Sequence, residues 1–395
     1  MSTLKVNAIR QTAASSDAVT LAADGTCTVK ATNNLSNRNI WINGACNVAQ
    51  RSTSASGSNG YHTIDRLWFE TANNDEGATI QQVDVASGTT PYTLGFRKCA
   101  KILNGNQTGG AGAADTVEFG CNIEAQDIAQ SGWNYISTSS YITLSFWVKS
   151  SVAQNFYGYL RTKDVSERMY SFDTGSLSAD TWTKVTKTIP GNSNISINND
   201  NGNGLAITFD AFRGTSGTGS GATLNAWRAA DNAARTPDQT STWYTTNDAT
   251  LEFTGFQLEV GDVATDFEHR SYGDELRRCM RYYFEISGSS GRVLDYLNPL
   301  GHDNNTIEVM PALPVPMRAA PTVTVTNTIE CRACHNGNGG AVVNIAGSSF
   351  EEPGNNITTG HTWWDAASGT PFSGGYFGRI YSASNPASVN FSAEL

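Results

Sequence analysis

Residues 141–150, YITLSFWVKS, put Ile142, Leu144, Phe146 and Val148 on one side of an extended strand and Tyr141, Thr143, Ser145, Trp147 and Lys149 on the other. A helix would scatter the same residues around its circumference, so the run folds as a strand with one face in a core. Comparable runs recur as DTVEFGCNI, TWTKVTKTI, LAITFDAF and ATLEFTGFQLEV, separated by polar loops. From about residue 40 to 272 the series reads as a single large β-sandwich. The composition agrees: the chain has 38 glycines, and 16% of its residues are charged, against about 25% in an average domain. The low-complexity stretches at 190–204 and 214–222 belong on the surface, at the ends of the sandwich.

Either side of the sandwich the pattern changes. Residues 1–35 read as short strands, LKVNAI and AVTLAADGTCTVKA, with Asp24 and Gly25 in a tight hairpin turn. A lone hairpin is marginal in water, so this segment is expected to be completed by another copy of itself or by a docking surface. After the sandwich (36–272), SYGDELRRCMRYYF predicts a connector helix over 273–284. Its apolar positions are Leu276, Met280 and Tyr283, with Asp274 and Glu275 in the first turn. Strands resume over 285–395 as a smaller β-domain. The expected class is therefore all-β: hairpin segment, β-sandwich, connector helix and C-terminal β-domain. No long repeat of fixed period is seen, which argues against a solenoid or propeller.

Charge and hydropathy exclude several roles. The net charge is −10 and no block of Lys or Arg could track a phosphate backbone, so nucleic acid is not an expected partner. No run of about 18 apolar residues calls for membrane insertion. The opening MSTLKVNAIRQTAASS lacks the apolar segment of a secretory signal, and the chain is expected to fold where it is made. Its seven cysteines are then read as reduced thiols. Asn-x-Ser/Thr sequences such as those at Asn34, Asn106, Asn194 and Asn356 are read as polar loops.

Several phrases resemble tail-fibre-like virion proteins of bacteriophages: NLSNRNIWINGACNVAQRST, GYHTIDRLWFE, the final SAEL, and above all QLEVGDVATDFEHRSYGDELRRCMRYY. In that last phrase Gln257 to Phe267 resemble the exit of a carbohydrate-binding-module-like jelly roll, and Asp274 to Tyr283 the helix leading onward. The resemblance implies a jelly roll, a trailing β-domain and a homotrimeric fibre or spike in the virion, made in the host cytoplasm. Its N-terminus would dock on other tail or capsid proteins, and its β-domains would meet a bacterial surface polysaccharide. The ligand itself is not implied.

Sugar-binding sandwiches use flat aromatic rings beside amides and carboxylates. The candidates are Trp147 on the polar face of its strand, Trp182 after a turn, Trp227 and Trp243 bracketing a polar insertion, and the pair Trp363 and Trp364. That pair is read in a loop with His361 and Asp365, and is preferred for a receptor contact. Jelly rolls of this type often carry a structural calcium, but residues 198–204, NNDNGNG, offer Asp200 as their one carboxylate and read as an ordinary loop. Cys331, Cys334 and His335 have the CxxCH spacing of haem attachment. Between two β-runs and without an export signal they read as a polar loop with free thiols. Zinc is the weaker alternative, its fourth ligand drawn from His361 or another subunit.

No motif singles out a catalytic pair among Asp65, Glu70, Asp164, Glu167, Asp173, Asp210 and Glu259. No nucleophile elbow or Walker loop is present. The leading expectation is thus host-glycan binding without catalysis. A purely architectural fibre, adaptor or decoration protein, and a polysaccharide depolymerase, are the alternatives.

Overall fold

A computed structural model describes residues 37–288 without a break. On the N-terminal side it describes 6–15, 17–21, 23 and 27–29, and beyond the break 297–301, 306–327, 329–333, 342–351, 361–366, 378–382 and 387–395. A small sheet of β1 (Ala8–Ile9), β2 (Val19–Leu21) and β3 (Cys27–Val29) comes first, in the order β1-β2-β3. β2 and β3 pair antiparallel around the expected hairpin, whose turn residues Asp24 and Gly25 lie outside the described residues. Val6, Ile9 and Leu21 are exposed.

Twelve strands then build the sandwich. They are β4 (Ser54–Ser56), β5 (Trp68–Ala72), β6 (Thr79–Asp84), β7 (Lys98–Leu103), β8 (Thr116–Glu124) and β9 (Tyr141–Ser150). β10 (Asn155–Thr162), β11 (Arg168–Ser176), β12 (Thr183–Pro190), β13 (Asn203–Arg213), β14 (Trp227–Ala229) and β15 (Thr250–Val260) follow. A front sheet runs β12-β9-β15-β7-β6-β4 and a back sheet β14-β11-β10-β13-β8-β5. Counted in chain order over β7 to β13 and then β15, the front sheet takes the first, eighth, third and sixth strands, and the back sheet the second, seventh, fourth and fifth. That order is the double Greek key of a jelly roll.

The period-two reading of β9 holds: Ile142, Leu144, Phe146 and Val148 are all fully buried between the sheets. They meet a continuous aromatic cluster in which Phe209 lies 5.2 Å from Phe119 and 5.0 Å from Phe146, and Phe119 lies 4.9 Å from Phe253. Each such ring stabilises the fold by about 1.5–3 kcal/mol through removal from water.

Two expectations change. The glycine-rich stretch 214–222 does not sit free at one end of the sandwich. With the residues up to 239 it folds across the outer face of the back sheet, where Thr218 and Thr236 are buried. Electrostatics account for this: Glu118 and Asp210 alternate with the core residues Phe119 and Phe209 and so face outward. Arg213 bridges both carboxylates while Gln239 Nε2 donates to Asp210 at 3.1 Å, so the loop shields and satisfies a charged row.

The second change concerns the connector helix. It spans Tyr272–Met280, capped by Ser271, whose hydroxyl accepts from the Asp274 N–H at 3.2 Å. Tyr283 begins the next strand, and the face turned inward holds Glu275 and Cys279. Glu275 is drawn in because its carboxylate accepts from the Asn43 N–H and from Arg270.

The C-terminal strands are β16 (Tyr283–Gly288), β17 (Leu297–Gly301), β18 (Thr306–Pro311), β19 (Thr322–Thr326) and β20 (Ile329–Ala333). β21 (Val342–Glu351), β22 (His361–Ala366), β23 (Gly378–Ser382) and β24 (Ala387–Ser392) complete them. They form sheets β16-β24-β19 and β17-β18-β22-β21-β20-β23 over a core that includes Val309, Met317, Val389 and Phe391. The final segment locks onto the jelly roll. Glu394 pairs with Arg66 and Arg51, the Leu395 carbonyl accepts from Asn122 at 3.0 Å, and Arg66 stacks 3.4 Å over Tyr282.

Candidate functional site

On the outer face of the front sheet, β9 presents Ser145, Trp147 and Lys149, the polar side of the strand that is apolar toward the core. The neighbouring strand β15 carries a bulge between Thr254 and Gln257, with Gly255 at φ +69°. A Cβ on Gly255 would meet Phe96 at 2.7 Å and the Trp147 ring at 3.2 Å, so only glycine lets the indole lie against the strand. Residues preceding β7 add Leu94 and Phe96, β12 adds Lys184, and the loop after β15 adds Thr265, Asp266, Phe267 and His269. Together they line a pocket of about 240 Å³.

The walls are braced. His269 and Phe267 meet edge to face at 4.8 Å and both pack on Phe96, while His269 Nε2 lies 2.9 Å from the Leu94 carbonyl oxygen. Lys149 pairs with Glu252 at 2.9 Å and lies 5.4 Å from the Trp182 ring centre, which ties that ring to the same face. Beneath them Cys99 is buried, and burial together with Glu252 pushes its thiol pKa up, so it stays protonated. The pocket thus offers a half-buried indole, an exposed ammonium, a hydroxyl and a carboxylate around an apolar floor. That set suits a ring with one C–H face and a rim of hydroxyls.

Of the tryptophans singled out from sequence, the fold brings Trp147 and Trp182 together here. Trp227 packs 5.4 Å from Tyr170 and donates through Nε1 to the Pro190 carbonyl at 2.6 Å, as a brace at the sheet edge. Trp243 is wholly buried, with Nε1 donating to the Thr250 carbonyl at 3.1 Å, which places it in the core. His361, Trp363, Trp364 and Asp365 form β22 instead of a loop. That strand is interior to its sheet, with Trp363 in register with Glu308 and Ser349.

Cys331 lies in β20, opposite Val343 and Ile380, while Cys334 and His335 lie outside the described residues. The Asp200 carboxylate accepts from the Gly202 N–H at 2.9 Å within its own loop. Among the described residues no three His, Cys, Asp or Glu side chains gather as a metal site. Asp65, Asp164, Glu167, Asp173, Asp210 and Glu259 each hold an internal partner: Gln50, Asn198, Arg161, Lys187, Arg213 and Thr265 respectively.

Gly255, Lys184, Phe267 and His269 escaped the sequence reading. One signal was available, since an isolated glycine inside the strand run TLEFTGFQLEV marks a bulge.

The sequence matches no family profile and no curated protein sequence closely enough to count as a relative. Several solved structures are loosely similar in fold. The enzymatically active domain of bacteriophage CBA120 tailspike protein 4 is 10% identical at a TM-score of 0.29, over 57% of this chain and 22% of that one. The chain therefore spans 22% of the tailspike structure it matches. The family 11 carbohydrate-binding module from Clostridium thermocellum, solved with a mixed-linked tetrasaccharide, is 12% identical at a TM-score of 0.24, over 55% of this chain and 98% of the module. A putative sugar-binding protein from Bacteroides thetaiotaomicron is 13% identical at a TM-score of 0.26, over 58% and 100%. At such scores the site has to be read from its own residues.

Proposed function

We propose that this chain is a glycan-binding protein of a bacteriophage virion, a homotrimeric tail fibre or spike that attaches to a bacterial surface polysaccharide. The Trp147 pocket carries the glycan reading: a braced, half-open indole with Ser145, Lys184 and Asp266 around it. Its volume, about 240 Å³, falls under the roughly 300 Å³ of a pocket for a drug-sized ligand and suits a single sugar ring. The virion reading rests on the resemblance of residues 257–283 to tail-fibre-like proteins. Exposed Val6, Ile9 and Leu21 on the N-terminal sheet support assembly, because further copies would cover them. Weak sites repeated on one fibre would act together through effective concentration. Binding without cleavage is the proposed activity, supported by the commitment of Glu118 and Asp210 to Arg213 beneath the 214–239 loop.

Glycan-array binding by the full chain tests this. Trp147→Ala is expected to weaken binding about tenfold, the worth of one aromatic stacking contact, with an unchanged far-UV circular dichroism spectrum. Array silence in the folded protein would leave the purely architectural role instead. Release of reducing ends from a bound capsule would replace binding by hydrolysis.

A further inference from the structure

The segment 214–239 covers a row of side chains on the back sheet that holds more negative than positive charge. Glu118 on β8 stands directly opposite Glu70 on β5 and Asp210 on β13. Side chains so placed have Cβ atoms about 5 Å apart, where like charges repel. The row continues from Asp210 through Tyr157 to Asp173, whose charge Lys187 meets at 2.9 Å.

Glu118 is nearly inaccessible between the two other carboxylates. Facing it are Arg213, which it shares with Asp210, Arg235 from the segment above, and the Tyr159 hydroxyl at 3.5 Å. An ionised Glu118 would set three negative charges against those two guanidinium groups in a site closed to water. Burial, reinforced by Asp210 and Glu70 and opposed by Arg213, pushes its carboxyl up to about 7 from 4.5.

The segment rests on the same groups. Gln239 Nε2 and Thr236 Oγ1 donate to Asp210 at 3.1 and 3.4 Å, and Gln239 Oε1 accepts from the Arg213 N–H at 3.1 Å. Gly217 lies so close over the Arg213 stem that a Cβ there would meet Cδ at 2.8 Å. The Arg235 N–H donates to the Gly217 carbonyl at 2.8 Å and the Gly219 N–H to the Thr236 carbonyl at 3.0 Å, which ties 214–219 to 235–239. The strand β14 between them is anchored separately, by its pairing with β11.

We propose that 214–219 and 235–239 form a proton-linked cover, docked while Glu118 carries a proton and released when it ionises and draws water into the row. The docked state binds a proton that the open, hydrated state gives up. Docking is therefore fully supported below pH 4.5 and is lost as pH rises through 7. The proposal is independent of the glycan reading, because the Trp147 pocket lies on the other sheet.

Hydrogen exchange of the full chain, followed by mass spectrometry at pH 5.5 and 8.5 and corrected for the pH dependence of intrinsic exchange, tests it. Peptides covering 214–219 and 235–239 should lose about tenfold or more in protection at the higher pH, relative to peptides of β9 in the front sheet. Glu118→Gln, neutral at both values, should flatten the difference. Glu70→Gln, at a half-exposed position on the edge strand β5, removes one repelling charge and should move the midpoint to lower pH. Thermal melts verify that both variants fold, and Glu70→Gln decides the matter alone if Glu118→Gln does not. A cover equally protected at both pH values, an undiminished difference in Glu118→Gln, or a midpoint that Glu70→Gln leaves in place overturns the proposal.

Discussion

Asp65 shows how far the fold can move the chemistry of one side chain. It is buried, accepts from the Gln50 N–H at 2.9 Å, and has Arg51 at 4.0 Å. Burial nevertheless dominates and pushes its pKa up to about 6, from 3.8. The folded state therefore holds a proton that the unfolded state releases between pH 4 and 6. This contribution is fully present below pH 4 and is lost as pH rises to 6, about 3 kcal/mol in all at 1.36 kcal/mol per unit. Glu124, where burial is outweighed by hydrogen bonds from Arg281 and Tyr282, has a lowered pKa and works in the opposite sense, its contribution being lost as pH falls below 4.5. Urea unfolding of the wild type and Asp65→Asn at pH 4 and pH 7 should show the wild type losing stability across this range and the variant losing much less. Parallel pH profiles would remove the assignment. The tryptophans teach the converse lesson. Their suitability for stacking was legible as residue type, but not that Trp147 stands on the outer face of β9 while Trp243, in the turn before β15, packs into the core.

Among the elements, β15 joins core and site. Its run TLEFTGFQLEV announced a strand, and its glycine is the bulge that opens room for Trp147. Gly255→Val would add a branched side chain where the Phe96 ring already sits 2.7 Å from an ideal Cβ, at a φ of +69°. A loss of about 2–4 kcal/mol is expected from overpacking and backbone strain together, with the Trp147 pocket closed. Thermal unfolding and glycan binding measured on the same sample would reveal a failure of either part. The helix Tyr272–Met280 was visible through its cap and acidic first turn, yet its buried face was misplaced. Periodicity marked Leu276 and Met280, whereas the inward groups are Glu275, held by Asn43 and Arg270, and Cys279. Polar burial of that kind depends on Asn43, 232 residues away in the chain, which no local pattern encodes. The 214–239 loop escaped for the same reason: its glycines and serines read as free chain, and only the outward carboxylates of the back sheet explain why it lies down.

Across the molecule, the jelly roll and the C-terminal sheets are tied by charge. Arg66, nearly inaccessible, pairs with Glu394 and donates to the Asn122 carbonyl, and Arg51 shares the same carboxylate. Glu394→Ala would leave the Arg66 guanidinium inside the junction without its carboxylate and is expected to cost about 3 kcal/mol. Denaturation followed by tryptophan fluorescence should register that loss in the sandwich itself. A jelly roll as stable as before would mean that the junction does not support it. The all-β class, the inward face of β9, the helix and the order of strand runs were determined by sequence alone, because period-two alternation, turn residues and caps are local and act within a few residues. Which tryptophan meets solvent, which carboxylates are satisfied, and the convergence of β9, β15, β12 and the loop after β15 into one pocket were decided only in three dimensions. Each depends on strands distant in the chain meeting in one register, and burial is a property of that meeting.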